Sequence, residues 1–144
     1  MQLSITAPRN MLQAYTKFCK PLCKKLELPQ TAFDILMFLG NNPQYKTASD
    51  VVEIRHIKAN LVSVNVDKLV NEGYLIRQAV EGDRRKTELI CTDKAKPIIE
   101  KGQKLQQEFL EKTLANMDQD TREALAKAME IINENVNRIL EGDR

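Results

Sequence analysis

The chain has 144 residues, 42% of them hydrophobic and 29% charged, with 22 Lys and Arg against 20 Asp and Glu for a formal charge of +2. That length and apolar share fit a single chain unit able to bury a core, while the near-balance of charge is weak support for any polyanionic partner. One histidine, with no Gly-rich phosphate loop, metal-ligand cluster or nucleophile beside a base, leaves acid-base and covalent chemistry without a cast, so neither an enzyme nor a cofactor is expected.

In chain order, Leu12, Tyr15, Cys19, Leu22 and Leu26 recur at steps of three and four and predict a first helix, with a kink or break at Pro21, which cannot donate to the carbonyl four residues back. A second helix opens at Pro29, carries Phe33, Leu36, Met37 and Leu39 inward, and stops at Asn41-Asn42-Pro43. Thr47-Ala48-Ser49-Asp50 has the form of a capping box with Asp in place of Glu, before Val51, Val52 and Ile54 as the inner face of a third helix. After a break around Arg55-His56-Ile57, a fourth helix runs from about Lys58 to Glu72 and is closed by Gly73. Tyr74 to Val80 and Lys86 to Cys91 have strand composition, with Glu81-Gly82-Asp83-Arg84-Arg85 as the hairpin tip, or wing. Thr92 and Asp93 cap a fifth helix bent near Pro97, with Ile98, Leu105, Phe109 and Met117 as its stripe. A sixth begins near Asp118, and its Leu125, Met129, Ile132, Val136 and Ile139 have the spacing of a coiled-coil seam that needs a partner surface.

No stretch approaches the ~18 apolar residues of a membrane span, and Met1–Ile5 lacks the regions of a secretory signal, so a soluble cytoplasmic protein is expected. On the fourth helix Val62, Val66 and Leu69 share one side, and Asn60, Ser63, Val64, Asp67, Lys68 and Asn71 the other. The second set could enter a major groove: Asn60 suits adenine, Ser63 can donate or accept, and Lys58 or Lys68 can neutralise phosphate. Val64 either meets a thymine methyl or is one of the isolated exposed apolar residues that every surface carries. A polar helix face alone is more often simply solvated. The basic triplet Arg84-Arg85-Lys86 on the following hairpin shifts the balance, since such side chains can reach an adjacent minor groove. Asp83 either orients the Arg85 guanidinium or is a turn residue.

These pieces, in this order, resemble the MarR family. Thr47-Ala48-Ser49-Asp50-Val51-Val52 is similar to its third-helix opening, and Val66-Asp67-Lys68-Leu69-Val70-Asn71-Glu72-Gly73-Tyr74-Leu75 to the end of its recognition helix and first strand. Asp83-Arg84-Arg85, then Leu89-Ile90-Cys91-Thr92-Asp93-Lys94, is similar to its Asp-x-Arg wing, second strand and fifth-helix cap. The resemblance implies a mainly α winged helix-turn-helix of bacterial type, with a DNA-binding lobe over 28–92 and a helical dimerisation lobe over 1–27 and 93–144. It further implies a homodimeric regulator, expected to be a repressor, on a pseudo-palindromic operator in double-stranded DNA, relieved by a small ligand or by oxidation. Carried over, Arg85 enters the minor groove, Asp83 orients it, and Asn60 and Ser63 lie on the recognition helix. The chain departs from the family at Lys58, Leu61 and Val64, where a Ser cap, a Thr and an Arg are usual, at Asn65, where an apolar residue is expected, and at His56, where a turn glycine is common.

Cys19, Cys23 and Cys91 are odd in number, match no zinc spacing, and are expected to be reduced. Packing is the first reading for all three. The alternative is redox sensing at Cys19 and Cys23, with Lys17, Lys20, Lys24 and Lys25 favouring a thiolate. Tyr15, Phe18, Phe33 and Met37 could line a cavity for a small aromatic or other hydrophobic effector, although such a set is more often core. The competing function is a winged-helix module that binds protein instead of DNA.

Overall fold

The computed structural model describes residues 6–142. Among these residues there are six helices and one two-stranded antiparallel sheet, grouped into two compact units, Met1–Phe109 and Leu110–Arg144. Met1–Ile5, expected to carry no secretory signal, lies outside the described residues. No described helix is long and apolar enough to cross a membrane.

Helix α1 (Thr6–Leu26) stays helical through Pro21, so the break considered from sequence does not occur. Proline deletes one backbone hydrogen bond, and the neighbouring Cys19 and Cys23 are buried in the core, which offsets that loss. The helix ends at Glu27, whose φ of 56° lets the Leu28 N–H turn back to the Cys23 carbonyl at 3.0 Å. Helix α2 (Gln30–Asn41) starts just after Pro29, whose carbonyl accepts from the Phe33 N–H at 3.0 Å. Ala32, Phe33, Ile35, Leu36, Met37, Phe38 and Leu39 are all buried, so α2 is the centre of its unit and not a surface helix with one apolar stripe.

Helix α3 (Ala48–Arg55) has the expected capping box: the Asp50 N–H donates to Thr47 Oγ1 at 3.1 Å, and the Thr47 N–H to Asp50 Oδ2 at 3.1 Å. Of its expected inner face, Val51 is fully buried and Val52 half-buried, but Ile54 is 46% exposed. An eight-residue helix buries its middle and leaves its last turn at the surface. His56 follows at φ 59°, taking the left-handed conformation that glycine adopts at no steric cost, which makes it a turn residue.

Helix α4 (Ala59–Asn71) packs chiefly on α2 and then α3, burying Val62, Val66 and Leu69. Its end is a Schellman arrangement: Gly73, at φ 84°, donates to the Val70 carbonyl at 3.0 Å and Tyr74 to the Leu69 carbonyl at 2.9 Å. Strands β1 (Leu75–Val80) and β2 (Asp83–Cys91) follow, with Leu75 and Leu89 buried in the core. The turn between them is only Glu81 and Gly82, so Arg84 and Arg85 lie within β2 and not at the tip. Val80 pairs with Asp83 but Ala79 pairs with Thr87, so Arg84, Arg85 and Lys86 form an irregularity that leaves the ladder.

Helix α5 (Lys96–Thr113) begins later than Thr92, which is not its cap. The Thr92 hydroxyl donates instead to the Gly73 carbonyl at 2.6 Å, and Lys94 Nζ to the Glu72 carbonyl at 2.6 Å, tying the exit of the hairpin to the end of α4. Packing around α5 fixes the aromatic residues proposed for an effector cavity. Phe33 and Met37 are core, and Phe109 meets Tyr15 edge-to-face and Phe18 at a tilt, at centroid distances of 5.2 and 5.6 Å.

In the second unit, Met117 belongs to the turn before α6 (Gln119–Leu140) and not to the α5 stripe. Asp118 caps α6 by accepting from the Thr121 N–H at 2.8 Å, and Arg122 donates to the carbonyls of Met117 at 3.0 Å and Leu114 at 3.2 Å, closing the turn. The helix has no buried residue, and Leu125, Met129, Ile132, Val136 and Ile139 are exposed along its seam.

Leu69→Ala is expected to lower the unfolding free energy by about 2–5 kcal/mol through the cavity it leaves, whereas Val64→Ala on the opposite face should change it by less than about 0.5 kcal/mol. Chemical denaturation of the two variants checks the contrast.

Candidate nucleic-acid interface

The core sets the orientation of α4. With Val62, Val66 and Leu69 turned inward, Asn60, Leu61, Ser63, Val64 and Asp67 are exposed, and Lys68 is half-buried. Lys58 stands at the N-cap position, exposed and making no side-chain cap, so its ammonium projects from the helix start. Asn65, expected as a departure from an apolar position, is buried, and its amide donates to the Leu61 carbonyl at 2.8 Å. A buried polar group is thereby satisfied within the helix.

The two charged side chains in the second half of that face are engaged internally. Lys68 Nζ lies 2.8 Å from Glu72 Oε1, and Asp67 pairs with Arg77 of β1. Arg77 was not singled out from sequence, because nothing in the chain between positions 67 and 77 signals that the first strand folds back along α4.

The wing brings its basic residues beside the start of α3. Asp83 accepts from the backbone N–H of Arg85 at 2.9 Å, not from its guanidinium, so it shapes the chain at the irregularity and leaves the Arg85 side chain to project. Arg84, Arg85 and Lys86 are all exposed. Arg85 and Lys86 share a cleft of about 400 Å³ with Thr47, Ala48, Ser49 and Asp50. An adjoining cleft of about 380 Å³ runs from Ala48, Ser49 and Thr87 to Ala59 and Ser63 of α4. The wing root is held there by the Leu89 N–H, which donates to the Lys46 carbonyl at 2.6 Å. Asp50 is slightly desolvated, yet the N–H groups of Thr47 and Lys46 and the nearby Lys86 charge hold its carboxyl below the usual range. The N-terminal half of α4, the start of α3 and the basic segment of β2 therefore border one continuous surface.

The other candidates lie elsewhere, on α1. Cys19 and Cys23 are buried and Cys91 half-buried, all as free thiols. Burial pushes the Cys19 thiol up against opposing hydrogen bonds with Tyr15 and Gln30, and pushes Cys23 up to about 11. That direction is opposite to the one expected from the four lysines of α1, because loss of hydration outweighs charges held at an exposed surface. Tyr15 accepts from Gln106 Nε2 at 2.9 Å, and its hydroxyl is raised by burial. Phe18 is half-buried against Phe109. Among the described residues no group of three or more His, Cys, Asp or Glu is placed to hold a metal ion.

A helix pair joined by the sharp turn at His56, followed by a two-stranded hairpin, defines a winged helix-turn-helix. Residues 26–86 match the sequence model of the MarR family. A MarR transcriptional regulator from Methanosarcina mazei Go1 superimposes with a TM-score of 0.79 at 23% identity, over 93% of this chain and 96% of that one. A MarR-family regulator from Listeria monocytogenes, solved with a 26mer DNA, gives 0.83 at 17% identity, over 100% and 98%. The transcriptional regulator SlyA gives 0.80 at 15% identity, over 95% and 96%. No curated protein matches the sequence. Residues 26–86 thus carry the match to the MarR family model, and the likeness to these solved structures shows the same winged helix-turn-helix fold with its flanking helices.

At pH 8 the Cys23 thiol is expected to alkylate with iodoacetamide about one hundred-fold more slowly in the folded chain than in denaturant, since a thiol pushed up to about 11 holds that much less thiolate. Equal rates under the two conditions would show the thiol to be open and ionised.

Proposed function

We propose that the protein is a sequence-specific transcriptional regulator that binds double-stranded DNA as a homodimer on a pseudo-palindromic operator, most simply as a repressor. The observation that carries this reading is the continuity of one surface from Ala59 and Ser63 of α4, past the start of α3, to Arg85 and Lys86, with Asn60 and Arg84 exposed beside its two ends. A helix of this kind fits a major groove with its first turns toward the base edges, and arginines on a hairpin beside it reach the adjoining minor groove. Lys58 and Lys86 are assigned to phosphate, and Lys68 contributes there on release from Glu72. Asp83 acts by shaping the backbone that presents Arg85. The Listeria relative solved with DNA supports the same use of the same fold.

Residues 28–92 form the DNA-binding lobe, and residues 1–27 and 93–144 the dimerisation lobe. The exposed seam of α6 supports the second assignment, because an apolar stripe repeating at steps of four and three is stable when another helix covers it. Two α4 helices presented about 34 Å apart would engage successive major grooves on one duplex face. Binding then responds to any effector that changes that separation, because both half-sites must be held together. Of the two modulations expected, a hydrophobic ligand has the clearer support. A groove of about 880 Å³ on α1 has Leu12, Cys23 and Leu28 as its apolar part and Lys17, Lys20 and Lys24 as its basic part. The raised thiols favour oxidation less.

Fluorescence anisotropy on genomic fragments tests the reading. The expected result is an affinity that falls steeply with salt, and an Arg85→Ala variant that binds more weakly with a log–log salt slope reduced by about two, one for each protomer. A monomer by sedimentation, or binding indifferent to both salt and Arg85→Ala, would favour a protein-binding winged helix instead.

A further inference from the structure

The exposed face of α4 has an unusual composition for a helix that reads bases. Beyond the methyl of Ala59, the outward side chains of its first two turns are Asn60, Leu61, Ser63 and Val64, with Leu61 44% and Val64 66% exposed. Leu61 and Val64 are three apart and so adjoin on the helix surface. Neither side chain supports the core, which α4 reaches through Val62, Val66 and Leu69 on its other side. The charges further along the same face are already answered within the protein, Asp67 by Arg77 and Lys68 by Glu72. Lys58 is at the helix start, where a long side chain meets the sugar-phosphate backbone before it meets a base edge. The part of α4 that would lie deepest in a groove therefore offers one amide, one hydroxyl and two adjacent aliphatic groups, and no cation.

Major-groove chemistry discriminates among base pairs for such a surface. Guanine presents two acceptors best met by Arg or Lys, whereas thymine alone presents a methyl group and adenine pairs with an amide in two-point fashion. Resting on the DNA-binding reading above, we infer that α4 reads its half-site through thymine methyl groups: Val64 and Leu61 each cover one thymine C5-methyl, and Asn60 pairs with an adenine beside them. The recognised core of each half-site is then A·T-rich. Removing a methyl leaves an apolar side chain facing water in the groove, so discrimination comes from desolvation and not from hydrogen bonding.

The experiment uses the full chain and duplexes that it selects from a random library at low salt. In the selected duplex each thymine is replaced singly by deoxyuridine, which deletes only the methyl. Uridine at two thymines per half-site is expected to weaken binding by about four-fold each, the worth of one buried methyl-sized group. Val64→Ala should lose the response at one of these thymines and Leu61→Ala at the other, and both variants should remain folded because both positions are exposed. A flat uridine scan, a scan unchanged in both variants, or a selected core centred on guanine overturns the inference while leaving DNA binding intact. Failure to select any duplex overturns the DNA-binding reading together with it.

Discussion

Burial of Val62, Val66 and Leu69 against α2 is the constraint from which the rest follows. A helix with one apolar side packed on a close-packed partner cannot rotate about its axis without exposing two or three aliphatic side chains, at roughly 1.5–3 kcal/mol each. The opposite side is therefore fixed outward, and Asn60, Ser63 and Val64 are presented in one orientation. The same α2 helix buries nearly every side chain along its middle, so it forms the rigid base on which α3 and α4 are set.

The hairpin depends on that base in turn. Leu75 and Leu89 anchor its root in the core, while Thr92 and Lys94 bind the carbonyls of Gly73 and Glu72 where the chain leaves it. Those two carbonyls lie at the end of α4, so α4 and the hairpin share a fastening. The irregular register between Ala79 and Thr87 then carries Arg84, Arg85 and Lys86 out of the ladder. Asp83 holds the departure in place through the Arg85 backbone, and a paired strand would instead have alternated these side chains between two faces.

Features that depend on neighbours in sequence were legible before the structure. The capping box at Thr47 and Asp50, the left-handed stop at Gly73, the inner side of α4 and the Asp118 start of α6 all follow from contacts within a few residues. Features decided at long range were not. Thr92 and Asp93 have the composition of a helix cap, but the Gly73 carbonyl nineteen residues earlier takes the Thr92 hydroxyl. Pro21 has the chemistry of a helix breaker, yet core contacts of Cys19 and Cys23 keep α1 continuous. The place of the arginines within β2 has no local signal, because a two-residue Glu81-Gly82 connection with an extra loop of strand behind it has no distinctive composition. The Asp67 pairing with Arg77 required knowing that β1 runs back beside α4. For the thiols, lysines nearby in sequence pointed one way and burial, visible only in three dimensions, pointed the other.

The central claim is that α4 and the basic segment of β2 meet the same duplex together. Backbone amide shifts followed by NMR while an operator fragment is titrated into the labelled full chain test it directly. Expected is a set of perturbations concentrated at positions 58–68 and 83–87, both saturating at one DNA concentration. Shifts confined to only one of the two segments, or centred on α1 or α6 with both segments unmoved, would contradict it.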